Sequence, residues 1–272
     1  MTLEIGIVGS GAVATALARA LGRDSAACSV RLFARDAESA QRIAASASAR
    51  AVPSLDELAS TDAILVAVTD DAIGEVSAAL RAVRPGGAVF HTSGALSGAA
   101  AMGALIGVPR GSLHPLLAVP RDAGPDAFEG APFVVEAETP DAVDLGESIV
   151  ERLGGTLVRL PDAGDPSAKA RYHALATMVA SGVVALVDRA SGELATSDDE
   201  RATLRRAFAQ LAASAAANVE RSDGPSALTG PIARDDASTL SLHADALAGR
   251  DVHALYEAVR RAAEAMLGEE RN

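Results

Sequence analysis

The feature that most constrains the fold is a glycine-containing turn in the segment "LEIGIVGSGAVATALARAL". The apolar run over residues 3–9 is typical of a buried strand, and it leads through Gly9 and Gly11 directly into an alanine-rich helical pattern. Small residues at Gly9, Gly11 and Ala14 let the backbone turn tightly and let the helix pack closely on the strand. The segment therefore predicts the start of a βαβ unit in a parallel sheet.

Strand-like and helix-like segments alternate through the first 160 residues. The further predicted strands are nearly continuous apolar runs, at residues 29–35, 63–68, 86–93, 111–116 and 132–137. A helix begins after Asp36, which suits an N-cap, and a last helix and strand follow within 147–160. Apolar strands that alternate with helices indicate a mostly parallel, doubly wound sheet covered on both faces.

The pattern changes after the tract "PDAGDPS", residues 161–167, which is the best candidate for a linker. Beyond it, three helical segments are predicted, at 167–192, 197–221 and 236–272, with one long break at 221–236. We therefore predict two domains, an α/β domain over residues 1–162 and an all-α domain over residues 163–272.

Composition excludes several classes of partner. The formal net charge is −12 and no basic run occurs, which argues against nucleic acid and against anionic membranes. Cys28 is the sole cysteine, so an intrachain disulfide and a thiolate metal cluster are excluded, and no metal site is predicted. The N-terminal residues do not resemble a signal peptide, and the apolar stretches are read as too short to span a bilayer. A cytoplasmic protein is expected.

The glycine-containing turn also predicts a ligand. A pyrophosphate placed on the N-terminus of the first helix is favoured by the helix dipole and by free backbone N–H groups. The second strand is followed by Arg35, which suits a 2′-phosphate, whereas Asp36 is better interpreted as the cap of the next helix. We therefore expect NADP(H) in preference to NAD(H), bound by Gly9, Ser10, Gly11, Ala12, Val13, Arg35, Val68 and Thr69.

A stripe of polar residues follows the first helix of the second half. Its sequence, "AKARYHALATMVASGVVALV", is apolar nearly all round, which predicts the buried central helix of the second domain. Lys169, His173, Thr177 and Ser181 are spaced by four and so lie on one side of that helix. The alternative interpretation is structural. Lys169, near the helix start, would then simply be solvated, and the hydroxyl groups of Thr177 and Ser181 would donate hydrogen bonds to preceding carbonyl groups of the same helix.

This stripe suits the reduction of a carbonyl group, which needs a proton on the oxygen as well as a hydride. A lysine in a dry cleft has a lowered pKa and becomes a better general acid, and His173 one turn away can orient the same oxygen. His114, in "GSLHPLLAVP", is a second candidate. By itself, a lone histidine in an apolar run is more often a residue of the core.

Six motifs in this order resemble one family along the whole chain: the glycine-containing turn, "VAVTDDAI", "HTSGALSG", "SLHPLLAV", "KARYHALATMVAS" and "LTGPIARDDASTLSLH". The family is that of Rossmann-like proteins with a C-terminal domain of unknown function, family 2520. It is similar to the 6-phosphogluconate-dehydrogenase superfamily, which includes pyrroline-5-carboxylate reductase, ketopantoate reductase and prephenate dehydrogenase. The resemblance implies a Rossmann domain followed by an all-α, 6-phosphogluconate-dehydrogenase C-terminal-like domain.

The resemblance also implies roles for individual residues. Lys169 matches the helix lysine of hydroxyacid dehydrogenases and ketopantoate reductases, while His173 stands where these often have asparagine. Ser93 in "HTSG" and His114 in "LHPL" resemble the serine and the His-Pro element of the prephenate dehydrogenase substrate site, and Ser93 is also placed beside the cofactor. With the resemblance added, a cleft position is favoured for His114. The predicted catalytic residues are thus Lys169, His173, His114 and Ser93.

Two positions depart from the family pattern. Gly182 replaces an asparagine of the central helix, and Asp235 replaces a glycine after "TGPI", so the substrate contacts of the family do not transfer directly. The predicted function is an NADP-dependent reductase of a small carbonyl acid, such as a ketopantoate-like 2-keto acid, with its site in a cleft between the domains. An imine reductase and a non-catalytic dinucleotide-binding sensor are the alternatives. The superfamily further implies a homodimer.

Overall fold

The computed structural model describes residues 2–161 and 166–270. Internal contacts divide the chain into two compact units, Met1–Ala176 and Thr177–Asn272. Of the predicted linker 161–167, residues 162–165 lie outside the described residues.

The first unit is built on one sheet. Its strands are β1 (Leu3–Val8), β2 (Cys28–Phe33), β3 (Arg50–Ala51), β4 (Ala63–Val66), β5 (Ala88–His91), β6 (Arg110–Pro115), β7 (Pro132–Ala137) and β8 (Thr156–Leu157). The strand order is β3-β2-β1-β4-β5-β6-β7-β8. Every neighbouring pair is parallel except β6 and β7, which run antiparallel. The predicted mostly parallel sheet is confirmed, and the short strand β3 was not predicted.

Helices flank this sheet. They are α1 (Ala12–Gly22), α2 (Ala37–Ser46), a 3-10 helix (Leu55–Leu58), α3 (Asp70–Val83), α4 (Gly98–Ala101) and α5 (Pro140–Arg152), and α6 (Pro166–Leu194) begins in this unit. The side chain of Asp36 accepts a hydrogen bond from the Ser39 backbone N–H at 3.1 Å, which confirms the predicted cap of α2. Thr69 is the N-cap residue of α3, but its side chain makes no capping hydrogen bond.

Alternation along the strands explains why both faces of the sheet are covered. Ile5 and Ile7 of β1 point into a core shared with α1, α2 and α5, whereas Val8 belongs to a second core that includes residues of α3. In β4, Leu65 faces the first core and Ile64 the second. Successive side chains of a strand point to opposite faces, so a strand buried on both sides must be apolar throughout. The sheet is therefore doubly wound.

The second unit is helical. It contains the remainder of α6 and α7 (Asp198–Arg221), α8 (Gly224–Ala227), α9 (Gly230–Ala233), α10 (Ala237–Leu247) and α11 (His253–Glu270). The long break predicted at 221–236 instead holds the two short helices α8 and α9, each with a proline in its first turn. The single helix predicted from residue 236 onwards is two helices. Gly249, at a φ of +74°, lies between them and favours a helix end because glycine adopts that conformation without strain.

The central helix of the second half is not buried as predicted. Between residues 171 and 190 of α6 every residue is at least partly exposed in this chain, because no described element covers its apolar side chains on all sides. The length of α6 also corrects the expectation that no apolar segment is long enough to span a bilayer. By length and composition alone, Ser167–Leu194 passes as a membrane-spanning candidate, with a mean hydropathy of 1.4 in its most apolar 18-residue window, a test that core helices also pass.

The turn after β1 requires glycine at position 9. Its φ is +138°, and a Cβ on this residue would lie 2.2 Å from the carbonyl oxygen of Ala67. We expect Gly9→Ala to lower the free energy of unfolding by roughly 2–4 kcal/mol, because both backbone strain and a steric clash are introduced. Thermal unfolding should then show a melting temperature lower by about 5 °C or more.

Gly11→Ala is the matched control. Gly11 has an ordinary φ of −77°, and a Cβ there would meet nothing within 4 Å. Its melting temperature should stay within about 2 °C of the parent, since exposed substitutions without contacts change stability little. Equal destabilisation by the two substitutions would contradict this account of the turn.

Candidate functional site

A cavity of about 630 Å³ opens at the carboxyl ends of β1, β2 and β4. In parallel sheets, ligands bind at this edge of the strands. Eight residues predicted to bind a cofactor line the cavity: Gly9, Ser10, Gly11, Ala12, Val13, Arg35, Val68 and Thr69. Ser93 does not line it, whereas its neighbour Thr92, which follows β5, does.

The helix ends in this cavity are suited to an anion. Gly11, the N-cap of α1, offers no side chain to the first-turn N–H groups of the helix. Since a Cβ on Gly11 would point into open space, the glycine leaves room for a group that approaches the backbone closely. Thr69 likewise leaves the first turn of α3 without a side-chain cap. These features fit the pyrophosphate of a dinucleotide.

The charges after β2 fit a phosphate better than a ribose hydroxyl. Hydrogen bonds from the side chain and backbone of Ser39 hold the pKa of Asp36 below its usual value, so this carboxylate is engaged as the helix cap. Arg35 lies exposed on the wall of the cavity. Residues that can hold the 2′-phosphate of NADP(H) are therefore present at the expected position.

A second group of polar side chains lies near the carboxyl ends of β5 and β6. We call it the polar cluster: His91, Ser112, His114, Glu136, Lys169, Tyr172 and His173. His91, Ser112 and Glu136 are direct neighbours across β5, β6 and β7 and therefore project from the same face. His114 follows two residues after Ser112 on β6 and so shares that face.

The geometry of α6 explains how its stripe meets this face. Four residues of a helix advance about 6 Å, close to the roughly 6.6 Å between residues two apart on a strand. Lys169 therefore reaches Ser112, and His173, one turn later, reaches His114. The His114 and His173 rings are 5.5 Å apart at 86°. Lys169 and His173 therefore lie on the same side of α6, as their spacing predicts, whereas Thr177 and Ser181 are exposed.

Lys169 is the most buried member of the predicted set, at 3% exposure. Its ammonium group donates hydrogen bonds to Ser112 Oγ and, at 2.9 Å, to Glu136 Oε1. Glu136 Oε1 also accepts from the Gly98 backbone N–H at 3.1 Å. A buried ammonium is stabilised only by such partners, so Ser112 and Glu136 belong to the site as closely as Lys169 does.

Two histidines of the polar cluster, His114 and His173, lie against Gly94. A Cβ on Gly94 would lie 2.3 Å from His173 Nδ1 and 2.6 Å from His114 Nε2, so this position accepts only glycine without moving a ring. His173 Nδ1 is buried and has no hydrogen-bond partner among the described residues. On its other side, His114 Nδ1 lies 3.0 Å from the Tyr172 hydroxyl.

Burial keeps two histidines of the cluster uncharged. Burial, with smaller contributions from His173, Lys169 and His91, lowers the pKa of His114 to about 4. Burial and then the Lys169 charge lower the pKa of His91 to about 4. Burial also lowers the pKa of Lys169, although Glu136 and Asp70 oppose that shift. At neutral pH, His114 and His91 are therefore neutral imidazoles.

Ser93 has a local role in the turn after β5. Its hydroxyl oxygen accepts hydrogen bonds from the backbone N–H groups of Ala95 and Leu96, each at 3.2 Å. Its own N–H donates to His91 Nδ1 at 3.1 Å. The serine thereby closes the turn that carries Gly94. Its hydroxyl hydrogen stays available to a further acceptor.

Four members of the polar cluster were not predicted from the sequence: His91, Ser112, Glu136 and Tyr172. The signals were present, since Ser112 and Glu136 are polar residues in otherwise apolar strands and His91 begins the quoted "HTSG". Tyr172 lies one position away from the four-residue spacing, so the polar stripe does not include it. Within residues 2–161 and 166–270, no group of three or more His, Cys, Asp or Glu side chains is arranged to hold a metal ion.

Two protein families match separate parts of the chain. Residues 4–89 match the family "NADP oxidoreductase coenzyme F420-dependent", and residues 131–263 match the domain of unknown function DUF2520. The first match supports the predicted cofactor, NADP(H), and agrees with the composition of the cavity. No curated protein sequence matches the chain.

Solved structures share the whole fold at low identity. An NADP oxidoreductase from Bacteroides fragilis has a TM-score of 0.71 at 22% identity, with 97% of this chain and 98% of that chain covered. A Thermotoga maritima protein has a TM-score of 0.71 at 19% identity, over 98% and 100% of the two chains. A Plasmodium falciparum pyrroline carboxylate reductase with NADP bound has a TM-score of 0.61 at 15% identity, over 97% and 98%. The chain thus matches an NADP-oxidoreductase family in its first part and the DUF2520 domain in its second, and it shares its fold with these structures, which agrees with the family that its motifs resemble.

Proposed function

We propose that this protein is an NADP(H)-dependent reductase of a small carbonyl acid, with a ketopantoate-like 2-keto acid as the first candidate. The observation that carries the proposal is the polar cluster, which lies on the sheet face next to the strand ends that line the cofactor cavity. Bound NADPH supplies a hydride. The chain must then hold the carbonyl group and deliver a proton to its oxygen.

In this proposal, His114 and His173 contact the reacting oxygen and Lys169 supplies the proton. An ammonium group has three N–H donors, and Ser112 and Glu136 accept two of them among the described residues. Burial lowers the pKa of Lys169, which brings the group closer to a useful acid at neutral pH. His114, as a neutral ring, stabilises negative charge on the oxygen by hydrogen bonding rather than by its own charge.

Two alternatives use the same residues differently. An imine reductase delivers the hydride to a C=N bond, and pyrroline-5-carboxylate reductases are among the proteins with this fold. A dinucleotide-binding sensor binds NADP(H) and performs no reaction. The Lys169–Glu136 pair within a polar cluster favours an enzyme, since a sensor has no need of a buried ammonium group beside two histidines.

The test is a screen of short 2-keto acids, cyclic imino acids and coenzyme F420 with NADPH. Turnover is measured as the loss of NADPH absorbance. Turnover of 2-keto acids supports the proposal. Turnover restricted to imino acids selects the imine reductase. Tight NADPH binding without turnover of any compound supports the sensor.

Arg35 is expected to determine the preference for NADPH. A charge-assisted pair with a phosphate contributes roughly 1.5–3 kcal/mol, so Arg35→Ala should weaken NADPH binding by about tenfold or more. NADH lacks the 2′-phosphate, so its affinity should barely change. Fluorescence titration with both cofactors measures the difference.

Arg81→Ala serves as the control for loss of one positive charge. Arg81 lies exposed on α3 and does not line the cavity. It should leave both affinities near the parent values. Equal weakening of NADPH and NADH binding by Arg35→Ala would show that this arginine only supports the fold.

Lys169 is expected to be essential for turnover. Lys169→Ala should lower kcat by about a hundredfold or more, the usual contribution of a positioned acid, with NADPH affinity nearly unchanged. The variant also leaves the Glu136 carboxylate without its ion-pair partner, so the melting temperature should fall as well. The value of kcat must therefore be expressed per folded molecule. Arg31→Ala is the control, since it breaks the Arg31–Glu4 ion pair between β1 and β2, outside the polar cluster. It should cost stability and leave kcat unchanged.

The pH profile separates Lys169 from His114 as the proton donor. A donor acts only when protonated, so activity is full below its pKa and falls tenfold per pH unit above it. Glu136, Asp70 and His91 surround the ammonium, and its lowered pKa predicts a decline at alkaline pH, starting below 10.5. A reductive rate that already falls from about pH 4 upwards would assign the proton to His114 instead.

We further propose that the protein is a cytoplasmic homodimer paired through α6. Seven large apolar side chains of this helix are at least 40% exposed: Leu175, Met178, Val179, Val183, Val184, Leu186 and Leu194. An apolar surface of this extent on one helix is typical of a protein interface. The superfamily supports a second copy of the chain as the partner that covers it.

Light scattering should give twice the 27.4 kDa chain mass. Val184, 68% exposed, is the position for a disrupting change, and Val184→Glu should shift the protein towards the monomer because it buries a charge at the interface. Ile106→Glu, at a residue 77% exposed in the first unit, is the control and should stay dimeric. A monomeric parent at micromolar concentration, or parent protein recovered on lipid vesicles, would contradict the dimer.

A further inference from the structure

The two tyrosines of the chain make the same contact in different units. Tyr172 lies with its hydroxyl 3.0 Å from His114 Nδ1, and Tyr256 lies with its hydroxyl 3.0 Å from His243 Nδ1. Both pairs of rings are T-shaped, with centroids 5.6 Å and 5.9 Å apart. Only the first pair belongs to the polar cluster, so the second provides a natural reference for it.

Both partners of the first pair are uncharged at neutral pH. Burial raises the pKa of Tyr172 to about 12, so the phenol keeps its proton. The lowered pKa of His114, about 4, leaves one proton on the imidazole ring. The hydrogen bond between them therefore has two possible directions, and each direction fixes a different tautomer of His114.

Chemistry favours one of these directions. A phenol is a stronger hydrogen-bond donor than a neutral imidazole N–H, and an imidazole nitrogen is a stronger acceptor than a phenol oxygen. The Tyr172 hydroxyl then donates to Nδ1, and the ring proton stays on Nε2. That nitrogen is the one on the side of Gly94 and His173.

We infer that Tyr172 is a positioning residue that holds His114 in the tautomer with its proton on Nε2. The neutral ring then presents an N–H donor on the face that it shares with His173. A carbonyl oxygen gains negative charge during reduction and is stabilised by a fixed donor, whereas a bare ring nitrogen would repel it. The inference deepens the proposed function, and its activity measurement depends on that function. Its spectroscopic measurement does not.

The direct test is the tautomer of His114 in the full chain labelled with 15N on histidine. A protonated ring nitrogen resonates far from an unprotonated one, and the signals of His114 are assigned by their absence from His114→Asn. The parent should show the proton on Nε2 at neutral pH. A proton on Nδ1 in the parent would overturn the inference without any variant of Tyr172.

Tyr172→Phe removes only the hydroxyl, and Tyr256→Phe is the matched control. The Tyr172 variant should shift the His114 ring signals towards a mixture of tautomers, whereas the Tyr256 variant should change His243 alone. Unchanged His114 signals in Tyr172→Phe would overturn the positioning role. Melting temperatures of both variants show whether either signal change reflects unfolding.

The activity measurement uses the substrate found in the screen. Tyr172→Phe should lower kcat roughly tenfold, the size expected for loss of one hydrogen bond, with NADPH affinity unchanged and Tyr256→Phe fully active. A tautomer change without a loss of kcat would overturn the positioning role. If the parent reduces nothing, the proposed function fails, and the tautomer measurement still decides what Tyr172 does to His114.

Discussion

The buried ion pair between Lys169 and Glu136 is the interaction on which the arrangement of the site depends. Lys169 lies near the start of α6, and its ammonium is held at 2.9 Å by a carboxylate on β7. Removing one member of such a pair leaves an uncompensated charge, which costs on the order of several kcal/mol. The pair therefore fixes the first turns of α6 against the sheet. The positions of Tyr172 and His173 follow, because they lie on the same stretch of rigid helix.

Burial sets the electrostatics of the site more than any single charge does. A buried imidazolium ring is expensive, and the nearby Lys169 ammonium adds to that cost for His91 and His114. His91 and His114 accordingly have lowered pKa values and remain neutral. The cluster thus contains one ion pair, Lys169–Glu136, and two neutral imidazole rings, those of His91 and His114, which donate or accept hydrogen bonds. This division suits a reaction in which charge develops on one oxygen and must be met by preorganised donors.

Much of the first unit was predictable because its signals are local. The strand–turn–helix segment at Gly9 and Gly11, the apolar strands and the Asp36 cap each depend on residues that are neighbours in the chain. The residues that line the cavity could be named for the same reason, since the turn after β1 and the end of β2 carry most of them directly. Boundaries in the helical half were less predictable. The one helix expected after residue 236 is interrupted at Gly249, whose φ is positive. The apolar pattern of this segment continues across the interruption and did not predict it.

For the candidate site, the sequence by itself determined which polar residues share one side of one helix. The four-residue spacing of Lys169 and His173 puts both on one side of α6 because a helix repeats every 3.6 residues. Only the tertiary structure decided their partners. Ser112, Glu136 and His91 come from three separate strands, and register across β5, β6 and β7 brings them beneath Lys169. It is also the tertiary structure that exposes Thr177 and Ser181 and places Tyr172 against His114, because contacts between distant segments depend on how α6 packs on the sheet and leave no periodic trace in the sequence.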